Sequence, residues 1–345
     1  MSNPILVEVT RGSLVESFHR GAIAVVDAGG NARAAIGDIG RRVFPRSAVK
    51  ALQALPLVES GAADRYGFGN IELALACASH SGEARHVETA ARMLARAGRS
   101  EADLECGCHR PSWLAAADAL VREGREPSPL HNNCSGKHSG FVCLSCHRGF
   151  DPKGYVAPDH PAMREITATL EAMTGVALGP DVRAVDGCSI PTYAIPIDKL
   201  ALAFARFITG EGLSAERAAA AHRLATACMA EPYMVAGSGR FCTDVMTALP
   251  GRVFVKTGAE GVFCAALPEL GLGVALKCDD GESRASETVM AAVIDAFVPM
   301  SEGERERLAG RLSPAILSRR GATVGAIRPV AGLVESIRQG RPLSG

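Results

Sequence analysis

The first forty residues carry short β-rich apolar runs bounded by turn residues, the trace of strands. "ILVEVTRG" and "GAIAVVDAGG" are β-rich runs ending in turn residues, and "NARAAIGDI" follows the Gly-Gly turn as a hairpin partner. The pattern then changes. "GEARHVETAARMLARAG", "SWLAAADALVREG", "PAMREITATLEAMTG" and "SAERAAAAHRLATACMAE" repeat apolar residues at helical spacing, punctuated by Gly or Pro. Strands return at "RVFVKTG", "GVFCAAL" and "LGVALKC", and a helix, "SETVMAAVIDAFV", follows them. Short consecutive strands with tight turns favour antiparallel pairing over alternating βαβ units. The pattern therefore predicts an α/β (α+β) chain with a mainly antiparallel sheet built from both chain ends. Helices flank that sheet, and a mostly helical region is inserted. The expected parts are 1–80 with 245–330 for the sheet, 81–244 for the helical insert and 331–345 for a loosely held tail. No repeat at a fixed period is visible.

Composition narrows the function class. The chain has 345 residues, and 37 basic residues balance 37 acidic ones, so it lacks the basic excess of a nucleic-acid binder. No apolar run reaches the roughly 18 residues of a membrane span, and "MSNPILVEVTRG" lacks the layout of a signal peptide. Eleven cysteines, an odd number without an export signal, read as reduced thiols in a cytoplasm. Cys77, Cys228, Cys242 and Cys264 lie in apolar stretches suited to packing. An enzyme is expected over a scaffold.

Two motifs point to serine chemistry. In "PRSAVKALQAL", Ser47 and Lys50 stand three apart on a helix expected to begin near Pro45, which puts hydroxyl and amine on one face. A buried lysine can lose its proton and serve as base to a serine. Ser-x-x-Lys is common by chance, and a solvated pair is its plain alternative. "RVFVKTGAEG" adds Lys256-Thr257-Gly258 leaving an apolar strand, the setting of the Lys-Thr-Gly element in penicillin-binding and β-lactamase enzymes. The Ser-x-Asn element of those enzymes is missing, which argues for other substrates. "LALACASHSGE" offers Ser79 as a second serine, with helix capping by Ser79 or Ser81 as the plain reading.

The stretch "HNNCSGKHSGFVCLSCHRGF" carries three competing signals. Gly136-Lys137 lacks the glycine spacing and the hydroxyl residue of a phosphate loop. Cys143-x-x-Cys146-His147 has the letters of a haem-attachment motif, but "SGFVCLSC" reads as an apolar helix with packing thiols. Cys134, Lys137 and His138 remain as metal candidates, with Cys188 in "VDGCSIPTYAIP" as partner and Asp186 beside it. Thiolates favour a zinc-like ion held by three protein ligands and a water. Spacing alone favours His138 over Lys137.

Taken together, "PRSAVKALQAL", "LACASHSGE", "NNCSGKHSG", "VDGCSIPT", "MVAGSGRFCT" and "VKTGAEG" resemble, in order and up to about residue 330, the Rhizobium-type L-asparaginases, also called class 3 or type II. That family is similar in fold to serine β-lactamases and glutaminases. The resemblance implies two serine–lysine tandems, Ser47 with Lys50 and Ser79 with Lys256. It implies one zinc ion per chain on Cys134, Lys137 and Cys188, with Lys137 in place of His138. Lysine is an unusual ligand, because its amine must be neutral to coordinate. Asp186 matches an acid near the metal-bound water and is expected to bind substrate. The implied reaction is hydrolysis of L-asparagine to aspartate and ammonia by a cytoplasmic homodimer. Neither nucleic acid nor membrane is expected as a partner. A glutaminase, or a β-lactamase-like serine acyl hydrolase, is the rival activity. A non-catalytic metal or redox module built on the cysteine-rich middle is the rival class.

Overall fold

The computed structural model describes residues 2–343, which form two compact units. Of these, the first comprises residues 2–48, 195–209 and 244–343, and the second comprises 49–194 and 210–243. The stretches 49–80 thus belong to the helical unit, and the sheet unit takes in 195–209.

The sheet unit is built on one antiparallel sheet of eight strands. Its order is Ala315–Leu317, Thr323–Pro329, Ile5–Arg11, Leu14–Asp27, Leu272–Cys278, Val262–Leu267 and Phe254–Thr257, with Ala32–Ile36 on Leu14–Asp27. Both chain ends therefore feed one sheet, as the apolar runs predicted. The expected hairpin partner pairs Ile23 with Ile36 and Ala24 with Ala35. Leu14–Asp27 is longer than its apolar core, because its polar first half pairs with Ile5–Arg11 and its apolar second half with Leu272–Cys278. The central strands are buried at consecutive positions, which requires cover on both faces. Helices Ile197–Thr209 and Ser283–Phe297 pack on the sheet.

One glycine sets how closely the first helix approaches. A Cβ on Gly273 would stand 2.0 Å from the Ala201 carbonyl oxygen and 2.3 Å from the Ala205 nitrogen. Only a residue without a side chain lets helix backbone rest on strand backbone there. The chain beyond Val330 is tied down instead of loose. Leu333–Gln339 is a helix whose Leu333 and Ile337 are fully buried, and it packs on Ser283–Phe297. Two apolar residues four apart were too short a signal to separate this helix from a tail.

The helical unit is organised around Ser135–Arg148, buried without interruption from Ser135 to Ser145. Helices Leu55–Glu59, Asn70–Ala76, Ala84–Arg96 and Pro161–Thr174 surround it. The central helix is polar for so buried an element, and it satisfies its hydroxyls internally. Ser139 Oγ donates to the Ser135 carbonyl at 2.9 Å, and Ser145 Oγ to that of Phe141 at 2.9 Å. Gly136 lets the first turn of this helix lie on the end of Asn70–Ala76, since its Cβ would stand 2.3 Å from the Leu75 oxygen.

Gly273→Ala is expected to destabilise the protein by about 1–3 kcal/mol, the usual cost of overpacking. Gly310→Ala, in the middle of the helix Glu302–Leu312 with nothing within 4 Å of the new Cβ, should be neutral or stabilising. Urea midpoints of both variants against the parent check this, and equal midpoints would remove the close-packing argument.

Candidate active site

Lys50 opens the helix Lys50–Gln53, directly after a 3-10 turn spanning Arg46–Val49. The expected helix from Pro45 is therefore broken. Arg46 starts the turn at φ +51°, and the α-helix stops at Ala54 before Pro56 restarts it. Lys50 is 1% exposed, and its Nζ donates to the Ala78 carbonyl at 2.7 Å and to that of Asn133 at 3.4 Å. Burial pushes its amine below the ordinary lysine range, against the raising effect of Cys134. Such an amine is easier to deprotonate, as a base must be.

Ser79 follows the helix Asn70–Ala76 and does not cap the next one. Glu83 is the N-cap of Ala84–Arg96, and Ser81 Oγ donates to the Ala236 carbonyl at 2.8 Å instead. The segment 235–238 pins this loop. Ser79 N donates to the Val235 carbonyl at 2.9 Å, and Ser238 reaches Glu83 through its N–H at 2.8 Å and its hydroxyl at 2.7 Å. Gly237, at φ +108°, passes where a Cβ would stand 2.5 Å from Ser81 Oγ. This explains why "MVAGSGRFCT" is tied to "LACASHSGE": it is the wall that holds the Ser79 loop.

The turn before the central helix gathers these groups. Asn132 Oδ1 accepts the Cys134 N–H at 2.8 Å, and its Nδ2 holds the Cys106 carbonyl at 2.9 Å. Asn133 Nδ2 donates to Ser79 Oγ at 3.1 Å, while the Asn133 carbonyl accepts the His80 N–H at 3.2 Å. Cys134 stands at the N-terminus of the helix, where the macrodipole favours a thiolate.

Cys188 arrives on a different element. The strands Arg183–Val185 and Pro191–Tyr193 form a hairpin whose five-residue connection presents Asp186 and Cys188. Ser189 at φ +74° and the Asp186 N–H to Ile190 carbonyl bond of 2.8 Å close this tight loop. Lys137 Nζ donates to Cys188 Sγ at 3.1 Å, and the Cys188 thiol is hydrogen-bonded to Cys134. That bond, then the neighbouring Lys50 and Lys137, holds Cys134 well below the thiol range despite its burial. The same bond and burial push Cys188 up, so the pair shares one proton. Burial alone would depress the Lys137 amine, but Cys188 and Cys134 outweigh it and the net shift is upward. Asp186 is half-buried and adds to that raising effect on Lys137.

Among the described residues no three His, Cys, Asp or Glu side chains converge as metal ligands. Here the donors are two sulfurs and an amine nitrogen, all buried, with Lys137 hydrogen-bonded to Cys188, and that set fits a thiophilic ion such as zinc. His138 faces another way. Its Nδ1 meets the Tyr155 hydroxyl at 2.6 Å, and Tyr155 accepts the Glu105 N–H at 2.9 Å, so the phenol donates to the imidazole. Cys143 is a packing thiol inside the central helix, and its Sγ reaches the Met93 carbonyl. His147 Nε2 donates to the Ser60 carbonyl at 2.8 Å, which gives that histidine a structural role.

The remaining two predicted residues belong to the sheet unit. Ser47 is half-buried in the 3-10 turn. Lys256 is fully buried on the strand Phe254–Thr257, opposite Cys264, and its Nζ donates to the Thr257 carbonyl at 2.9 Å. Gly258 brings the end of that strand against the Ser47 turn, since its Cβ would stand 2.5 Å from the Pro45 oxygen and 3.2 Å from Ala48. The Lys-Thr-Gly element is thus an edge-strand end whose glycine permits close approach to the turn bearing the serine.

Residues 7–329 match the family described as L-asparaginase II. The chain belongs to the L-asparaginase II family. No curated protein matches it. Among solved structures, it is similar to the native form of Mglu at 18% identity and TM-score 0.34, covering 77% of this chain and 61% of that one. The chain therefore spans about three-fifths of the length of Mglu. It is also similar to a β-lactamase from Mycobacterium bovis at 12% identity and TM-score 0.39, over 85% of this chain and 95% of that one. No helix among the described residues is long and apolar enough to cross a membrane.

The pH dependence of stability follows from the buried histidines. Burial holds His80 and His138 well below the ordinary histidine value. The unfolded chain therefore binds protons that the folded one refuses, once pH drops below the unfolded value of about 6.5. Their neutral state costs nothing above that pH, and stability is lost progressively below it. The melting temperature should fall as pH is lowered from 8 to 5; a flat or rising profile would contradict the burial of these rings in neutral form.

Proposed function

We propose that this chain is an L-asparaginase, hydrolysing the side-chain amide of L-asparagine to L-aspartate and ammonia. The observation that carries the reading is the fully buried, depressed Lys50 amine on the Ser-x-x-Lys element of an L-asparaginase II chain. In this mechanism neutral Lys50 takes the Ser47 proton, and Ser47 Oγ attacks the amide carbon to give an acyl-enzyme. Ser79 and Lys256 are assigned as the second tandem on the resemblance of their motifs. They deliver a proton to the departing ammonia and later activate the water that cleaves the acyl group. Asp186, half-buried on its hairpin near Lys137, binds the substrate.

Cys134, Lys137 and Cys188 would hold one zinc ion, which when bound supplies a positive anchor for substrate. Support comes from their burial and from the Lys137–Cys188 hydrogen bond of 3.1 Å, since ligand residues are already close before a metal binds. His138 is left out of the set because its Nδ1 is taken by Tyr155. The amide substrate, a cytoplasmic setting and a homodimer complete the proposal. The last two rest on the resemblance of the sequence motifs.

Ser47→Ala and Lys50→Ala should each lower asparagine turnover by about a thousandfold or more without loss of folding. Ammonia release from asparagine, glutamine and buffer alone, run with melting curves, reads this out. Near-normal turnover by Ser47→Ala would refute the nucleophile.

Elemental analysis should give one zinc per chain for the parent and for His138→Ala, and little for Cys134→Ser, Cys188→Ser and Lys137→Ala. Zinc affinity should decline with falling pH, because protons compete for all three donors. Loss of zinc by His138→Ala alone would overturn this ligand set.

A further inference from the structure

Asn133 touches more of the proposed chemistry than any other side chain that the sequence motifs left without a role. Its Nδ2 donates to Ser79 Oγ at 3.1 Å. Its carbonyl accepts from Lys50 Nζ at 3.4 Å and from the His80 N–H at 3.2 Å. Its Oδ1 lies 3.3 Å from Cys134 Sγ, a hydrogen bond whenever that thiol carries its proton. One residue thus joins the second serine, the buried base and the first thiol.

Its own placement is fixed from outside. His109 Nδ1 meets the Arg110 carbonyl at 2.9 Å, and its Nε2 stands 3.2 Å from Asn133 Oδ1. That nitrogen accepts the Asn133 backbone N–H at 2.9 Å. Asn132 anchors the preceding residue to the Cys106 and Gly107 carbonyls. The Asn133 amide is therefore aimed at Ser79 by a braced backbone, as a preorganised donor must be.

We propose that Asn133 is a positioning residue for Ser79, whose N–H orients the serine hydroxyl and steadies its oxygen when the proton leaves. By occupying a lone pair of Oγ, the N–H directs the hydroxyl proton away from Asn133. When the Oγ–H bond breaks, the proton passes to the paired lysine amine and the electron pair stays on Oγ. That oxygen then accepts a stronger, charge-assisted bond from Nδ2. The same donor supports the reverse transfer, when Ser79 regains a proton from water. Asn133 touches the serine and not the amide carbon, so its effect falls on rate and not on substrate affinity.

This inference rests on the proposed role of Ser79, and the experiment separates the two. Asn133→Asp keeps the shape and the acceptor oxygens but removes the donor. On the zinc-loaded enzyme it should lower kcat for asparagine by about tenfold to a few hundredfold, the range for losing one donor to a developing oxyanion. KM should stay within about threefold, and zinc content and melting temperature should match the parent. A scaffolding role would instead lower zinc content or melting temperature along with kcat, and that result overturns the inference. Unchanged kcat, or a raised KM with kcat intact, overturns it as well. Should Asn133→Asp not fold, Asn133→Ala must show the same kcat loss with zinc retained. If Ser79→Ala itself turns over normally, the reading of Ser79 falls. If Ser79→Ala is inactive and Asn133→Asp is not, only the role of Asn133 falls.

Discussion

Two lysine amines buried beside two thiols form the constraint on which the helical unit turns. Lys50 and Lys137 are each no more than 2% exposed, and each influences the same pair, Cys134 and Cys188. Like charges brought together out of water would be strongly unfavourable without compensation. The sulfurs supply it. A thiolate on Cys134 is stabilised by a hydrogen bond from Cys188, by both amines and by the N-terminus of the central helix. The outcome is unequal: Lys50 is pushed down and Lys137 up. Burial prevails at one amine and the neighbouring sulfurs at the other.

The rest of the unit exists to hold that cluster still. The central helix buries polar groups over three turns because its serines bond back to carbonyls four residues earlier, leaving no hydroxyl without a partner. His80 joins in through Ser135 Oγ at 2.9 Å and the Gly82 N–H at 3.1 Å, which fixes its tautomer as Nε2-protonated. His80 stacks on His86, which in turn stacks on Tyr233, at centroid separations of 4.8 and 4.7 Å. Glu83 clamps Ser238. These contacts link three stretches that are far apart in the chain, and they make the loop bearing Ser79 part of a packed interior.

Much of the architecture was legible in the periodicity. Every strand flagged in the first forty residues and between 253 and 278 is present, because a half-buried or doubly buried strand leaves a two-residue or continuous apolar trace. The long helices left the same kind of record. What escaped were elements with weak apolar signal. Leu333–Gln339 is held by two residues, and Ala315–Leu317 is a three-residue edge strand with two exposed positions. Pro56 marked a limit to the Lys50 helix, but the left-handed Arg46 left no trace, since arginine does not announce its backbone angles.

The sequence by itself determined the family-bearing motifs, the two periodicities and the identity of every donor in the thiol–amine cluster. Read by spacing alone it favoured His138, and only the resemblance put Lys137 in its place. In the structure Lys137 meets Cys188 and His138 meets Tyr155, contacts that no spacing encodes. Nor could it reveal Asn133, whose letter in a turn reads as a backbone former. Its contacts with Ser79 and Lys50 span 54 and 83 residues of chain. The physical reason is the same in both cases. Local pattern encodes which face of an element is buried, while hydrogen-bond direction and charge state depend on neighbours that only folding brings within reach.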